Sequence, residues 1–358
     1  MKIQDQLLRV ALSLLLLMCF NPETGAQQPP EQELPRLSAP VHAAIYPEVM
    51  CVGCVVPIWD HGYLVHVEFD RDPAVVTMYE KSGKKVLEGR VEPADAAKVT
   101  ILSAGATQTG GILAVGASTM SDGAIQRFIV KTDSSGRAVQ SVRTGDFSAH
   151  QVCEATDGTV WTLGYELNYR DSPDADKNIL RHYSFEKGLL GSFISVDSIS
   201  NSSDASLFVF TPRASFLHCG KDSVSVLLWS FLQYIEVDAA TEKLTRWTVD
   251  PSLEVPRRAN GFAVTEEGRS FVGVDDFCDQ EKKITHGLYE LNAKSGTSVA
   301  KVIPVEGTIS KCDPNEIAPD GTFFYLWGAD GNELLVQRQG DGLGLSWARV
   351  SASLTTVQ

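Results

Sequence analysis

The eight residues DGTVWTLG, at 157–164, read as a tight turn followed by a strand, and near-copies of them recur along the chain. Relatives stand at 61 (HGYLVHVEF), 110 (GGILAVGAS), 221 (KDSVSVLLW), 267 (EGRSFVGVD) and 320 (DGTFFYLWG), so successive starts lie 49, 47, 64, 46 and 53 positions apart. In each, a turn pair precedes a run rich in Val, Leu, Ile, Phe and Trp, residues that fit a pleated, buried surface. A repeat of this period signals units that cannot bury their own faces and must stack on copies of themselves.

Around each echo the pattern extends to a full unit. A short apolar strand comes before it, as in HQVCEAT ahead of Asp157 and GFAVTEE ahead of Gly268. A hairpin with a polar turn follows, as in IQRFIVKTDSSGRAV from Ile125 and LQYIEVDAATEKLTRW from Leu232. The unit is therefore strand, tight turn, strand, loop, strand, polar turn, strand. Helical periodicity is nearly absent, and the one short helix candidate, 92–98, reads better as a loop.

Six such units predict an all-β fold, a six-bladed β-propeller of four-stranded antiparallel blades. Sheets packed face to face around a ring bury both faces of each. Seven blades, or paired β-sandwiches, are the less favoured arrangements. Residues 41–45 are expected to add a strand.

The start of the chain reads differently. Lys2 and Arg9, an apolar run at 11–20 and small residues at 24–26 have the form of a secretory signal over 1–26. The apolar run is too short to span a bilayer, and no later run is long enough. Residues 27–40 are a polar, proline-rich leader, and the propeller is expected over 41–358. The mature chain is thus expected to be exported, periplasmic or extracellular, with no transmembrane segment. Its formal net charge is −14, and losing Lys2, Arg9, Asp5 and Glu23 with the signal leaves that unchanged. Such a surface repels phosphate backbones, and no basic run offsets it, so nucleic acid is no partner.

Of seven cysteines, six outlast the signal: Cys51, Cys54, Cys153, Cys219, Cys278 and Cys312. An even number in an oxidising compartment permits disulfides. Cys51-Val52-Gly53-Cys54 precedes a strand and lacks the helix that activates redox C-x-x-C motifs, so it reads as structural. Cys278 and Cys312 fall in loops on one face and form a second candidate pair. Cys153 and Cys219 lie inside inner strands and read as buried.

The units with DGTVWTLG and APDGTFFYLWG resemble six-bladed propellers of the NHL, TolB-like and gluconolactonase/regucalcin-like superfamily, over nearly all of the mature chain. That resemblance implies the fold and leaves function open, since this architecture hosts enzymes, ligand binders and scaffolds. It also implies ligand binding near the central axis, on the face where the first strand of each unit starts and the second ends. Eight positions before the second turn residue, the starts of the inner strands hold Cys54, Ser103, His150, Ala214, Asn260 and Asp313. Asn315, Asp275 and Asp276 lie close to that face. His150, Asn260 and Asp313 are the candidate ligands for a divalent cation, the one cofactor this pattern could hold. Gluconolactonase-like relatives use a Glu, Asn and Asp set, and no Glu falls at the start of the first strand here. No G-x-S-x-G, H-E-x-x-H, P-loop or dinucleotide fingerprint is present. The sequence therefore favours a monomeric binding or scaffold module for a protein, peptide or carbohydrate ligand. The alternative is a metal-dependent lactonase or lyase using the axial set.

Overall fold

Burial along the strands explains why the echo recurs. In a computed structural model, the structure describes residues 34–44, 46, 57–68, 74–91, 93, 96–167, 176–199, 215–250, 258–275, 284–311, 323–338 and 345–351. After a short first strand, β1 (His42–Ala44), the chain forms antiparallel meanders. The first is β2 (Ile58–Asp60), β3 (Tyr63–Glu68), β4 (Val75–Glu80) and β5 (Lys85–Arg90). The second is β6 (Ala96–Ala106), β7 (Ile112–Met120), β8 (Ile125–Thr132) and β9 (Ala138–Arg143). The third is β10 (Phe147–Glu154), β11 (Val160–Glu166), β12 (Asn178–Ser184) and β13 (Gly188–Ser195).

Two further meanders follow, β14 (Ser215–Cys219), β15 (Ser223–Leu228), β16 (Gln233–Asp238) and β17 (Leu244–Val249), then β18 (Arg258–Val264), β19 (Ser270–Asp275), β20 (Ile284–Ala293) and β21 (Val299–Pro304). They join into one larger sheet because β17 and β21 pair in parallel, Thr248 opposite Val299 and Val249 opposite Ala300. A two-residue strand, β22 (Ser310–Lys311), pairs with β20. The last sheet is β23 (Phe323–Asp330), β24 (Glu333–Arg338) and β25 (Leu345–Arg349), completed by β1 against β25. Short 3₁₀ turns occur at Val196–Ser198 and Trp229–Phe231, and the described residues contain no α-helix.

The second strands of the meanders are buried on both faces. All six residues of β19 are buried, as are the last five of β3 and β15. Alternate residues of one such strand feed different cores. Ile112 and Ala114 of β7 pack with Val65, Val76 and Met78 of the first meander. Leu113 and Val115 pack with Phe147, Val152 and Val160 of the third. Runs dominated by Val, Leu, Ile and Phe, with only a few polar residues such as His66, Ser225 and Ser270 buried among them, are what strands covered on both faces require, and each fully buried Leu, Ile or Val contributes roughly 1.5–3 kcal/mol. Outer strands behave otherwise, and all six residues of β9 are at least partly exposed. Further apolar clusters lie between the third and fourth meanders, the fourth and fifth, the fifth and last, and the last and first. The sheets are thus arranged as in a β-propeller, with the first strand of each meander innermost.

The inner strands neighbour one another. β6 lies between β2 and β10, β14 beside β10 and β18, and β23 beside both β18 and β2. Contact is close where glycines allow it. A Cβ at Gly261 of β18 would collide with the Leu326 carbonyl of β23, and one at Gly328 of β23 would meet Trp59 Cβ of β2 at 2.5 Å.

Three expectations are corrected. The echo at 320–328 is not the second strand of its unit: β23 is the innermost strand of the last sheet, and its tight turn is Asp330–Glu333. The reason is that β1 supplies that sheet's fourth strand, so the last unit starts one strand later than the others. Residues from Ala96 onward form β6, neither helix nor loop. Pairing also reaches back into the stretch read as a leader. Leu37 bridges Val350, the Ser38 N–H donates to the Arg349 carbonyl at 2.8 Å, and the Glu306 N–H donates to the Pro35 carbonyl at 2.7 Å.

Candidate functional site

Three inner strands carry the same local device. At the tight turns after β6, β10 and β18, the N–H of Thr107, Ala155 and Thr265 donates to the carbonyl of Gly111, Thr159 and Arg269 at 2.9, 2.8 and 2.9 Å. The turn glycines, Gly110, Gly158 and Gly268, sit at φ of 77°, 80° and 79°, where a side chain would be strained. Eight residues before each glycine the ladder skips one residue: Leu102, His150 and Asn260 are β-bulges. A bulge re-aims its side chain out of the ladder, a feature concentrated at barrel rims and binding sites.

This register corrects one position. The sequence placed Ser103 in the set with His150 and Asn260 by counting from Gly111, but the structural match of Gly158 is Gly110. The bulge residue is Leu102, and Ser103 is an ordinary buried ladder residue opposite Val115. A slip of one residue exchanges the two sides of a strand.

The two polar bulges differ. Asn260 is fully buried, and its Oδ1 accepts the Leu326 N–H of β23 at 3.4 Å. His150 is half-buried and stacks on Tyr165 of β11, ring centroids 5.2 Å apart and planes 10° apart. Its Nε2 lies 3.4 Å from Ser148 Oγ, and burial lowers its pKa. Its neighbour Gln151 reaches across to β14, where its Nε2 donates to the Ser215 carbonyl. Along β14 only Ser215 is closed to solvent: Phe216, Leu217, His218 and Cys219 all stay partly open.

Asp275 ends β19, buried, with Arg258 and His286 opposite it in the adjoining strands. Burial lowers the pKa of His286, against the pull of Asp275. Of the other candidates, Cys51, Cys54, Ala214, Asp276, Cys278, Cys312, Asp313 and Asn315 lie outside the described residues. Among the described residues no three His, Cys, Asp or Glu side chains are placed to hold one metal ion.

A second cluster, at the tight-turn end of the inner strands, went unread in the sequence. Asp60 Oδ2 accepts the Ala106 N–H at 3.1 Å, and its Oδ1 lies 2.8 Å from His61 Nδ1. His61 occupies the turn at φ 46°, a left-handed value that only a few non-glycine residues adopt. Burial disfavours its charge, but Asp60 and Glu154 outweigh that and raise its pKa. Glu154 is buried, pairs with Lys131 and accepts the Gln108 N–H at 2.8 Å. The pKa of His218 is lowered by burial and by His61, against Asp60. His61-Gly62 is a two-residue hairpin turn in the sequence, with Asp60 just ahead of it. Its contact with residues 46 and more positions away had no local signal.

Cys153, buried as expected, and the half-buried Cys219 are joined by a disulfide, a pair the sequence did not single out. They come from β10 and β14, inner strands of different sheets, which is why neither strand's own pattern reveals the pairing. Farther out the same gap is bridged by a hydrogen-bonded series. Thr159 Oγ1 lies 2.8 Å from His182 Nε2, and His182 Nδ1 lies 2.9 Å from Glu242 Oε1. The His182 ring stacks on Trp161 at 4.2 Å.

No known protein family matches the chain, and neither does any curated protein. Solved structures do. A Bacteroides fragilis protein designated as exported aligns with a TM-score of 0.51 at 12% identity, over 90% of this chain and 97% of that one. A member of the DUF4221 family from Bacteroides vulgatus has a TM-score of 0.48 at 9% identity, over 90% of this chain and 99% of the other. A luciferin-regenerating enzyme has a TM-score of 0.44 at 16% identity, over 83% and 92%. At these identities the first supports the fold alone.

Proposed function

We propose that the chain is an exported, monomeric six-bladed β-propeller that binds a protein, peptide or carbohydrate ligand at one mouth of its axis. The observation that carries the binding site is the His150–Tyr165 stack. A flat, half-buried pair of rings at a bulge of an inner strand offers an apolar face with polar edges. Six blades account for the larger sheet as two blades whose outer strands touch. Six apolar clusters among the described residues, each between two successive meanders, support that count. Export is supported by the signal-like 1–26 segment, by the disulfide and by the designation of the Bacteroides fragilis protein. No helix among the described residues is long and apolar enough to cross a membrane. In this reading 1–26 is removed.

The test is a glycan and peptide array probed with chain 27–358, followed by titration of the best binder against wild type and Tyr165→Ala. The reading expects Tyr165→Ala to weaken binding at least about tenfold, equivalent to about 1.4 kcal/mol, with the melting temperature nearly kept. Equal affinity in a folded variant overturns the site. A melting temperature raised only by a divalent cation, with no binder on either array, overturns the binding module.

A further inference from the structure

The polar turns between the last two strands of the meanders hold a left-handed residue just before they close. In the first two meanders it is glycine. Gly83, at φ 85°, precedes Lys84, whose carbonyl accepts the Glu80 N–H, and Gly136, at φ 81°, precedes Arg137, whose carbonyl accepts the Asp133 N–H. The turn between β16 and β17 closes alike, with the Asp238 N–H donating to the Lys243 carbonyl at 3.0 Å, but the residue before Lys243 is Glu242, at φ 55°. A side chain is strained there. This one leaves its own meander, and its Oε1 lies 2.9 Å from Nδ1 of His182, on β12 of the third.

His182 is buried and meets an acceptor at each ring nitrogen. Nε2 lies 2.8 Å from Thr159 Oγ1. That hydroxyl has one proton, and it goes to Asp157 Oδ1 at 2.6 Å, which also accepts the Thr159 N–H at 2.9 Å. Burial pushes the Asp157 carboxyl up, but the Thr159 hydroxyl and N–H and the nearby His182 outweigh it and hold the carboxyl below its usual value. Asp157 is therefore an acceptor, and Thr159 Oγ1 is left to accept from Nε2. The Glu242 carboxylate accepts from Nδ1. The full set of bonds needs a proton on both ring nitrogens. The Trp161 ring, stacked on the imidazole at 4.2 Å with planes 9° apart, offers a face that attracts a cation. The charged groups facing His182 are Asp157, from the turn after β10, and Glu242, from the turn after β16. The flanking strands β11 and β13 set the uncharged Trp161 and Gly191 opposite it.

We propose that His182 is a proton-operated bolt between the third and fourth meanders: the doubly protonated ring ties Thr159 to Glu242, and when it gives up one proton the Glu242 turn is released. The Glu242 end yields because its backbone is strained and its carboxylate is half open to water. The Asp157–Thr159 pair lies within one turn and keeps two bonds. The bolt thus adds stability while both nitrogens are protonated, and that stability is lost as the pH rises.

The test uses Glu242→Gly, which removes the carboxylate and suits the left-handed backbone, so the turn itself is kept. Exchange protection of the Asp238 amide and the ring signals of labelled histidines are followed by NMR from acid to alkaline pH in the wild type and the variant. In the wild type, Asp238 protection falls at least about tenfold as His182 passes from doubly to singly protonated, the size of one lost charge-assisted hydrogen bond. In Glu242→Gly that step is absent and the His182 midpoint is lower than in the wild type. The Asp133 amide, which closes the matching turn at Gly136, shows no step in either protein. Wild-type protection of Asp238 that stays constant across the His182 titration overturns the bolt. So does the same step, or the same His182 midpoint, in Glu242→Gly.

Discussion

His150 and Asn260 stand at the same bulge, eight residues ahead of the same kind of turn glycine, yet one is half open and the other sealed. The difference lies in the next strand over. Beside Asn260, Gly261 lets the β23 backbone come so near that a Cβ would strike the Leu326 carbonyl, and the Leu326 N–H reaches the Asn260 amide. Beside His150, the residue matching Gly261 is Gln151, whose long side chain spans to β14. A glycine closes the gap between inner strands and a glutamine holds it open. The repeat fixes where a side chain leaves the ladder, and the neighbouring strand decides whether it meets protein or solvent.

The largest expected effect tests that gap. Gly261→Ala should cost about 3 kcal/mol or more, because a methyl group must displace backbone. Gln151→Ala loses one hydrogen bond and should cost about 1 kcal/mol. Urea midpoints of the two variants check this. Equal losses would mean that the two gaps are packed alike.

The smallest effect is a pH slope. Burial holds His150 neutral in the folded protein, whereas in the unfolded chain a histidine titrates near about 6.5. As pH falls, the unfolded state takes up its proton first. The stability from this site is therefore complete above about pH 6.5 and is lost as pH drops through the lower folded value. His218 and His286 act in the same direction, and His61, with its raised value, acts against them. His150→Phe keeps an aromatic ring on Tyr165 and should flatten the fall in melting temperature between pH 7 and 5. A curve parallel to wild type would show that this ring does not contribute to the slope.

The comparison also shows what could be read from the sequence. The echo located the second strands of five units, and residues 41–45 foretold β1, because an apolar run behind a tight turn is a local property. What depended on neighbours was missed or shifted. The last echo fell one strand off because β1 joins from the other end of the chain. Ser103 stood in for Leu102 because two adjacent glycines, Gly110 and Gly111, offered two registers. The Cys153–Cys219 bond and the Asp60–Ala106 and Glu154–Gln108 hydrogen bonds join strands of different sheets, and no spacing along the chain encodes that.

The most direct measurement is a paired thermal melt of His150→Ala and Asn260→Ala in one buffer. Asn260→Ala leaves the buried Leu326 N–H without the amide oxygen and opens a void beside Gly273, a loss of about 2–3 kcal/mol. His150→Ala removes a half-open ring from a stack, about 1 kcal/mol or less. The account predicts a clearly larger drop in melting temperature for Asn260→Ala. An equal or larger drop for His150→Ala would make both bulges structural and would contradict a binding surface built on His150.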